Sequence, residues 1–183
     1  MSTVTLPKPG TYTIDAAHSE VGFVARHLIG TKVRGRFTEA SGTIVIGDPI
    51  ESSSVEAEVA TSSINTSVGM RDDHLRTNDF LDVPNFPKIT LKSTGLTKVS
   101  DEEWKLTGDL TIRGVTKSVE FDFEFHGDGP GMAPGSEVIG LSATTEIDRR
   151  DFGVSFNGVL EGGAIVVGNK VKIEVEVEAG LQS

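Results

Sequence analysis

The sequence predicts an all-β fold, an antiparallel barrel closed on itself, and three observations carry that prediction. First, Val171 to Glu178 (VKIEVEVE) sets Val171, Ile173, Val175 and Val177 on one face and Lys172, Glu174, Glu176 and Glu178 on the other, the period of two that marks a strand with one wet face. Second, about eight or nine such segments follow one another without βαβ spacing, which leaves an antiparallel sandwich or a barrel. Third, the strands are long and apolar on one face only. Closure removes the bare edges an open sheet would keep while the outer faces stay charged, so the barrel is preferred.

Tyr12 to Asp15 and Val21 to His27 are the first extended pair, and Val21, Phe23 and Ala25 share a face with His27. Val33, Gly35 and Phe37 alternate with Arg34 and Arg36, Thr43 to Ile46 follows Ser41-Gly42, and Gly47-Asp48-Pro49 is a turn. Val55, Ala57 and Val59 alternate with Ser54, Glu56 and Glu58. Ile89 and Leu91 resume the alternation after Pro84 and Pro87. Trp104, Leu106, Leu110 and Ile112 share a parity; a turn at Arg113-Gly114-Val115-Thr116 follows, then Val119, Phe121, Phe123 and Phe125, giving the clearest hairpin in the chain. Gly127 to Gly135 reads as a flexible loop. Ile139, Leu141, Ala143 and Ile147 form the next strand, and a Gly-rich passage from Gly153 to Asn169 precedes the last.

One segment breaks the pattern, the Arg/His/Asp-rich stretch Met70 to Phe80 (MRDDHLRTNDF). It supports a short helix over Ser67 to Asn78, with Ser67 as N-cap and Asp72 four residues before Arg76. A helix below ~12–15 residues rarely holds alone in water. It must dock on the sheet, through Phe80, Leu81 and Phe86. Its Arg71, Asp72, Asp73, His74, Arg76 and Asp79 have three readings: a solvated helix face, a polar rim for a ligand headgroup, or an acid/base site.

At 183 residues, with 37% apolar and 24% charged residues, the chain fits one soluble domain, standing alone or as a small oligomer such as a homodimer. A net charge of −10 argues against a nucleic-acid partner. With no run of basic residues to override it, the same charge argues against docking on anionic headgroups. Without cysteine there is no disulfide, thiolate site or Cys nucleophile. Met1 to Gly10 lacks the basic start and apolar core of a secretory signal, and no segment approaches the ~20 apolar residues of a membrane span. The expectation is a cytoplasmic protein.

Motif chemistry is sparse. His18, His27, His74 and His126 show no ligand-like spacing, so no metal is expected. The glycine pairs Gly30/Gly35, Gly42/Gly47 and Gly163/Gly168 lack a following Lys and Ser or Thr and lie between strands, as turns or bulges. No G-x-S-x-G elbow occurs, so no catalytic residue is assigned and no cofactor is implied. What remains is the inner face. Phe23, Phe37, Phe121, Phe123, Phe125, Leu91, Leu110 and Leu141 point inward beside small partners such as Ala25, Gly35, Ala57 and Ala143. A barrel of this strand number either fills with such side chains or holds one ligand.

An ordered series of segments resembles the YceI-like proteins, nearly end to end. The matching stretches are Tyr12-Thr-Ile-Asp15 with His18-Ser19, Phe23 and His27; Gly35-Arg-Phe37; Ser63-Ile-Asn-Thr66; Arg71-Asp-Asp-His-Leu-Arg76 with Asp79-Phe80; Phe86-Pro-Lys-Ile89; Gly108 to Lys117; Ile147-Asp-Arg-Arg-Asp-Phe-Gly153; and the closing strand. The resemblance implies an eight-stranded, lipocalin-like antiparallel barrel with one short helix, an elongated apolar pocket, and a polyisoprenoid or related lipid as ligand. It departs in carrying Tyr12 where many members have Trp, and in showing no leader where many relatives are exported.

The combined expectation is a non-enzymatic carrier or sequestering protein, the ligand's tail inside and its head at the mouth. The residues expected to contact it are Phe23, His27, Phe37, Val59, Arg71, His74, Leu75, Arg76, Phe80, Leu91, Leu110, Phe121, Phe123, Phe125 and Leu141, with His27, Arg71, His74 and Arg76 as polar contacts at the entrance. Two other classes make different demands. An enzyme using His27 or His74 on an apolar substrate needs a deep His–carboxylate pair, and a stress-response interaction module needs a filled barrel.

Overall fold

The structure, a computed structural model, describes residues 5–158, 160–161 and 165–183. Among these, the strands are β1 (Gly10–Ile14), β2 (Glu20–His27), β3 (Thr31–Phe37), β4 (Ala40–Ile46), β5 (Ser54–Ala60), β6 (Ile64–Asn65), β7 (Lys88–Lys98), β8 (Trp104–Ile112), β9 (Val115–Pro130), β10 (Glu137–Asp148) and β11 (Val167–Leu181). Every pairing is antiparallel. The ring runs β1-β4-β5-β7-β8-β9-β10-β11 and closes by β11 pairing with β1.

The long β11 explains how eleven segments make eight staves. Its C-terminal end pairs with β1 at Tyr12↔Leu181, and its N-terminal part pairs with β2 at Ile173↔Phe23. Thus β1 and β2 share one stave, β4 and β3 the next, and β5 and β6 the third. The barrel is closed, eight-stranded and antiparallel: closure is the alternative preferred from the one-faced strands, and the strand number is the one the family resemblance implies. At Phe23↔Gly35 the Phe23 ring lies over the glycine so closely that a Cβ there would stand 2.2 Å from it.

One end of the barrel is plugged. Tyr12, Ile44, Trp104, Phe123, Phe125 and Ile139 are buried there, with Trp104 and Phe123 each edge-on to Phe125 at 6.0 and 4.8 Å. The Tyr12 hydroxyl donates to the Lys8 carbonyl at 2.9 Å, which satisfies a polar tip otherwise lost to the core. At the opposite end Phe80, Phe152 and Val154 form a second buried cluster, with Leu75 and Leu81 packed against it.

The helix α1 spans only Gly69–Leu75, shorter than the expected Ser67 to Asn78. Ser67 does not cap it: the residue sits at φ 66°, and the N-cap is Val68, without a side-chain bond. The buried Asp72 turns back instead, its Oδ1 accepting from the Thr66 N–H at 2.8 Å and the Thr66 hydroxyl at 2.5 Å. Arg76 accordingly pairs with Asp73, not Asp72. Phe80 and Leu81 anchor the segment as expected, while Phe86 lies against the β8–β9 turn, where Gly114 takes φ 73°.

Two loop expectations also change. β9 continues as strand through Gly127 to Pro130, pairing with Glu137 to Gly140 across a register shift, so the flexible loop shrinks to 131–136. Backbone pairing does not need side chains, so the glycines do not end the strand. The β8–β9 turn has only Arg113 and Gly114 outside the strands, both at positive φ, the two-residue form that matches strand twist. Gly163, of the Gly163/Gly168 pair, lies outside the described residues.

Candidate functional site

Between the aromatic plug and the opposite end lies a cavity of about 260 Å³ whose free surface is apolar throughout. All eight staves contribute to its wall: Ile14, Val21, Phe23 and Ala25; Phe37 and Ile44; Val55, Ala57, Val59 and Ile64; Ile89 and Leu91; Leu106, Leu110 and Ile112; Phe121 and Phe123; Leu141, Ala143 and Ile147; Val171, Ile173, Val175 and Val177. Leu75, Phe80, Leu81, Phe152 and Val154 roof it. Glu58 and Thr90, paired across the β5–β7 ladder, also border it, and the Glu58 carboxylate accepts from Lys88 at 2.8 Å.

Arg149 is the cationic side chain of the wall, and its charge is tied into backbone. Its Nη1 donates to the Val154 and Phe156 carbonyls, both at 2.8 Å, and its Nε to Gly168 O at 3.0 Å. Burial pushes this guanidinium below its ordinary value, against the pull of the Asp148 carboxylate. Arg149 thereby buckles the end of β10, the 154–156 segment and the start of β11 into one roof support.

Ten of the expected contact residues line the cavity: Phe23, Phe37, Val59, Leu75, Phe80, Leu91, Leu110, Phe121, Phe123 and Leu141. Five are placed elsewhere. Phe125 is one register step too far toward the closed end and is spent in the aromatic plug. His27 shares the inward parity of Phe23 but ends its strand beyond the wall, exposed. Arg71 folds back to Thr66, donating to its hydroxyl at 2.7 Å and its carbonyl at 2.9 Å. Arg76 holds the Ser62 and Ile64 carbonyls, both at 3.0 Å. These two arginines brace the crossing from β5 to α1 and do not reach the cavity wall.

His74 stands at the rim. Its Nε2 is 2.8 Å from Asp79 Oδ2, and its ring is edge-on to Phe80 and Phe156 at 5.1 and 5.2 Å. The His–carboxylate pair that an enzyme reading demanded therefore exists, but on the exposed side of Phe80 and not in the cavity. Arg149, Ile147, Phe152 and the β11 valines were missing from the expected site. Parity is the signal for Ile147 and Arg149, which continue the odd-numbered series of Leu141 and Ala143 along β10, and for Val171, Val175 and Val177 along β11; Phe152, in the turn after β10, has no such signal.

A separate polar group sits on the outer wall near the plugged end. Asp15, His18 and Glu178 bring ligand-type atoms within 4.8 Å of one another. Asp15 is already engaged: Oδ2 is 2.8 Å from His18 Nδ1, and Oδ1 accepts from the Ala17 N–H at 2.9 Å. Ser19 Oγ accepts from Glu178 N–H at 3.1 Å. This is a lock on the β1–β2 turn. The hydrogen bond from His18 lowers the Asp15 carboxyl below its ordinary value, and the same bond, with Glu178 nearby, raises His18. A depressed Asp stabilises above its unfolded value of 3.8 and is lost as pH falls through the lower folded value. A raised His stabilises below its unfolded 6.5 and is lost as pH rises through the higher folded value. The pair therefore contributes fully between pH 3.8 and 6.5. Asp15→Asn is expected to bring the His18 midpoint down toward 6.5, read by imidazole NMR. Its stability deficit in denaturant should be largest inside that window; a deficit independent of pH would show that the lock is not electrostatic.

A closed eight-stranded barrel plugged at one end, with an apolar chamber above the plug, defines a lipocalin-like class. The YceI-like domain model matches residues 12–179. The chain belongs to the YceI-like family. Among curated relatives, the UPF0312 protein SAB2563 of Staphylococcus aureus (strain bovine RF122) is 38% identical over 169 residues, covering 91% of this chain and 95% of that protein. The YCEI protein of Campylobacter jejuni is similar in structure with a TM-score of 0.71 and 30% identity, each chain covered completely. Two more distant structures share the fold: Burkholderia cenocepacia BcnA (TM-score 0.76, 19% identity, 90% of this chain and 98% of that one) and a polyisoprenoid binding domain from Saccharophagus degradans (0.69, 15%, 96% and 100%). No helix among the described residues is long and apolar enough to cross a membrane.

Proposed function

We propose that the protein binds a polyisoprenoid or related lipid with its tail in the barrel, as a non-enzymatic carrier or sequestering protein whose whole chain is one domain. The observation that carries this reading is the apolar chamber itself: a filled-barrel interaction module would have none, and every ionisable group that borders it is already paired. The polyisoprenoid-binding domain of Saccharophagus degradans, similar in fold, supports the ligand class. We propose in addition a cytoplasmic location and a monomer or homodimer, which cell fractionation and size-exclusion chromatography measure.

The volume sets a length requirement. A protein cavity of ~150 Å³ accommodates benzene, so 260 Å³ encloses roughly ten carbons, about two isoprene units. Burying ten carbons yields about 8 kcal/mol at ~0.8 per methylene, against ~4–15 kcal/mol for lost freedom on association. Ten carbons therefore give weak binding, and a longer chain must extend into the mouth or move side chains aside. Affinity for prenyl alcohols is expected to rise about tenfold or more from ten to twenty carbons, measured by competition with a fluorescent prenyl probe. Native mass spectrometry before and after organic extraction should show a co-purifying lipid. No prenyl binding at any length would overturn the reading.

A further inference from the structure

We propose that the mouth end of the barrel docks on an anionic lipid bilayer, with the β2–β3 hairpin tip and the Val68 and Met70 side chains at the start of α1 inserted and the β2–β3 wall seated among the headgroups. This deepens the lipid-carrier reading and rests on it for its purpose, though not for its test.

The apolar part is grouped by the fold. Leu28 and Ile29 form the β2–β3 tip, with Ile29 fully exposed, and Val68 and Met70 stand exposed at the start of α1. The two sites flank one segment: His74 of α1 lies 5.2 Å from Phe156, Asn157 donates to Val167 O at 2.8 Å, and the Leu28 N–H donates to Val166 O at 3.0 Å. Exposed large apolar residues at one rim mark an interaction surface.

The charge part is hidden in the sequence because strand alternation spaces it out. Arg26, Lys32, Arg34 and Arg36 all point outward and are exposed, and among the described residues none forms an ion pair. Register continues the wall onto β11: Lys172 faces Val24, which faces Arg34, and Arg26 faces Lys32. The sign reverses farther from the mouth, where Glu174 faces Gly22 and Glu176 faces Glu20. The acids packed against the basic rows are Glu146 opposite Lys172 and Asp148 opposite Lys170; Asp148 is held by Arg150 at 2.7 Å, and Lys172 also meets Glu174 at 3.2 Å.

A net charge of −10 does not prevent docking, because at physiological ionic strength fields decay over about 8 Å and the nearest charges dominate. The tip turn at 28–30 is closed by His27↔Thr31, and the next pair in the ladder is Arg26↔Lys32, so the basic rows begin directly behind the apolar tip. That matches an apolar tip sunk ~5–10 Å below a headgroup layer that receives the lysine and arginines. A bilayer fits both halves of this surface, whereas an acidic soluble partner would leave Ile29 and Met70 unexplained.

The test is co-sedimentation of the full chain with vesicles of phosphatidylcholine alone or mixed equally with phosphatidylglycerol. Binding to the mixed vesicles is expected to exceed binding to neutral ones by about tenfold or more and to fall away in high salt. At about fivefold per basic residue removed, Lys32→Glu with Arg34→Glu should weaken it roughly 25-fold or more, and Ile29→Glu should weaken it on the same vesicles. All three substitutions are at exposed positions and should leave prenyl-probe affinity in solution unchanged, so a failure of docking is distinguishable from a failure of ligand binding. Equal binding to both vesicle types, indifference to the charge reversals, or a dimer in solution that those reversals dissociate would overturn the proposal.

Discussion

Ala57→Trp is expected to reduce prenyl affinity by about a hundredfold while the protein stays folded. Ala57 lies mid-barrel, opposite Leu91 and Gly42, and faces the chamber. An indole there enters space that the ligand's tail would use. Excluding three or four methylene equivalents removes roughly 3 kcal/mol of burial, which is about two decades in the dissociation constant. Because the new ring enters a cavity and not a packed core, the usual overpacking penalty of ~1–3 kcal/mol is largely avoided. Val45→Trp, on the exposed face of the neighbouring β4, serves as the control and should leave affinity unchanged. Titration with a fluorescent prenyl probe, alongside thermal melting, separates the outcomes. Unchanged affinity in a folded Ala57→Trp variant would remove this wall from the binding site.

Arg149→Met is expected to destabilise the fold by about 3 kcal/mol, since it strips donors from four backbone carbonyls, those of Val154, Phe156, Gly168 and, more weakly, Val167, in a largely buried setting, where a carbonyl left unpaired costs ~1–3 kcal/mol. For a chain of this size that is a fall in melting temperature of roughly 6–12 °C. The loss should be concentrated at the roof, with hydrogen exchange accelerating first in residues 154–158 and at the start of β11. Arg149→Lys should recover little, because one ammonium cannot span the Gly168, Val154 and Phe156 carbonyls that the planar fork reaches together. A variant that melts like the wild type would mean that solvent replaces the guanidinium at no cost.

These two positions show what the sequence could and could not convey. Ala57 is legible: alternation along Val55, Ala57 and Val59 puts it inside, as it does Phe121 and Phe123 along β9. Arg149 is not legible as inward, although it continues the parity of Ile147, because a charged residue in an apolar wall contradicts the expectation that such side chains seek water. Only the three-dimensional return of 154–156 and Gly168 supplies its acceptors. The helix failed for a related reason. Capping statistics favoured Ser67, but Asp72 found a better use in the Thr66 backbone and hydroxyl. His27 and Phe125 mark the two ends of the inward pattern, where parity still holds but the chamber has stopped. Of the three cluster residues expected at the entrance, Arg71 and Arg76 are braces on backbone, and His74, with Phe80 and Phe156, stands at the opening.

The branching of the sheet off β11 has one further consequence. β3 finds a ladder partner on its far side only at Arg36 and Phe37, through the two-residue β6. From Thr31 to Gly35 its outer backbone is an edge without a ladder partner among the described residues. Such an edge is a template on which a second chain could add a strand, the first step toward aggregation. Lys32, Arg34 and Arg36 stand along that edge, so an identical strand approaching it in antiparallel register would set arginine against lysine. Like charges directly opposite are unfavourable, so the basic side chains along this edge disfavour strand pairing with a second copy of the chain.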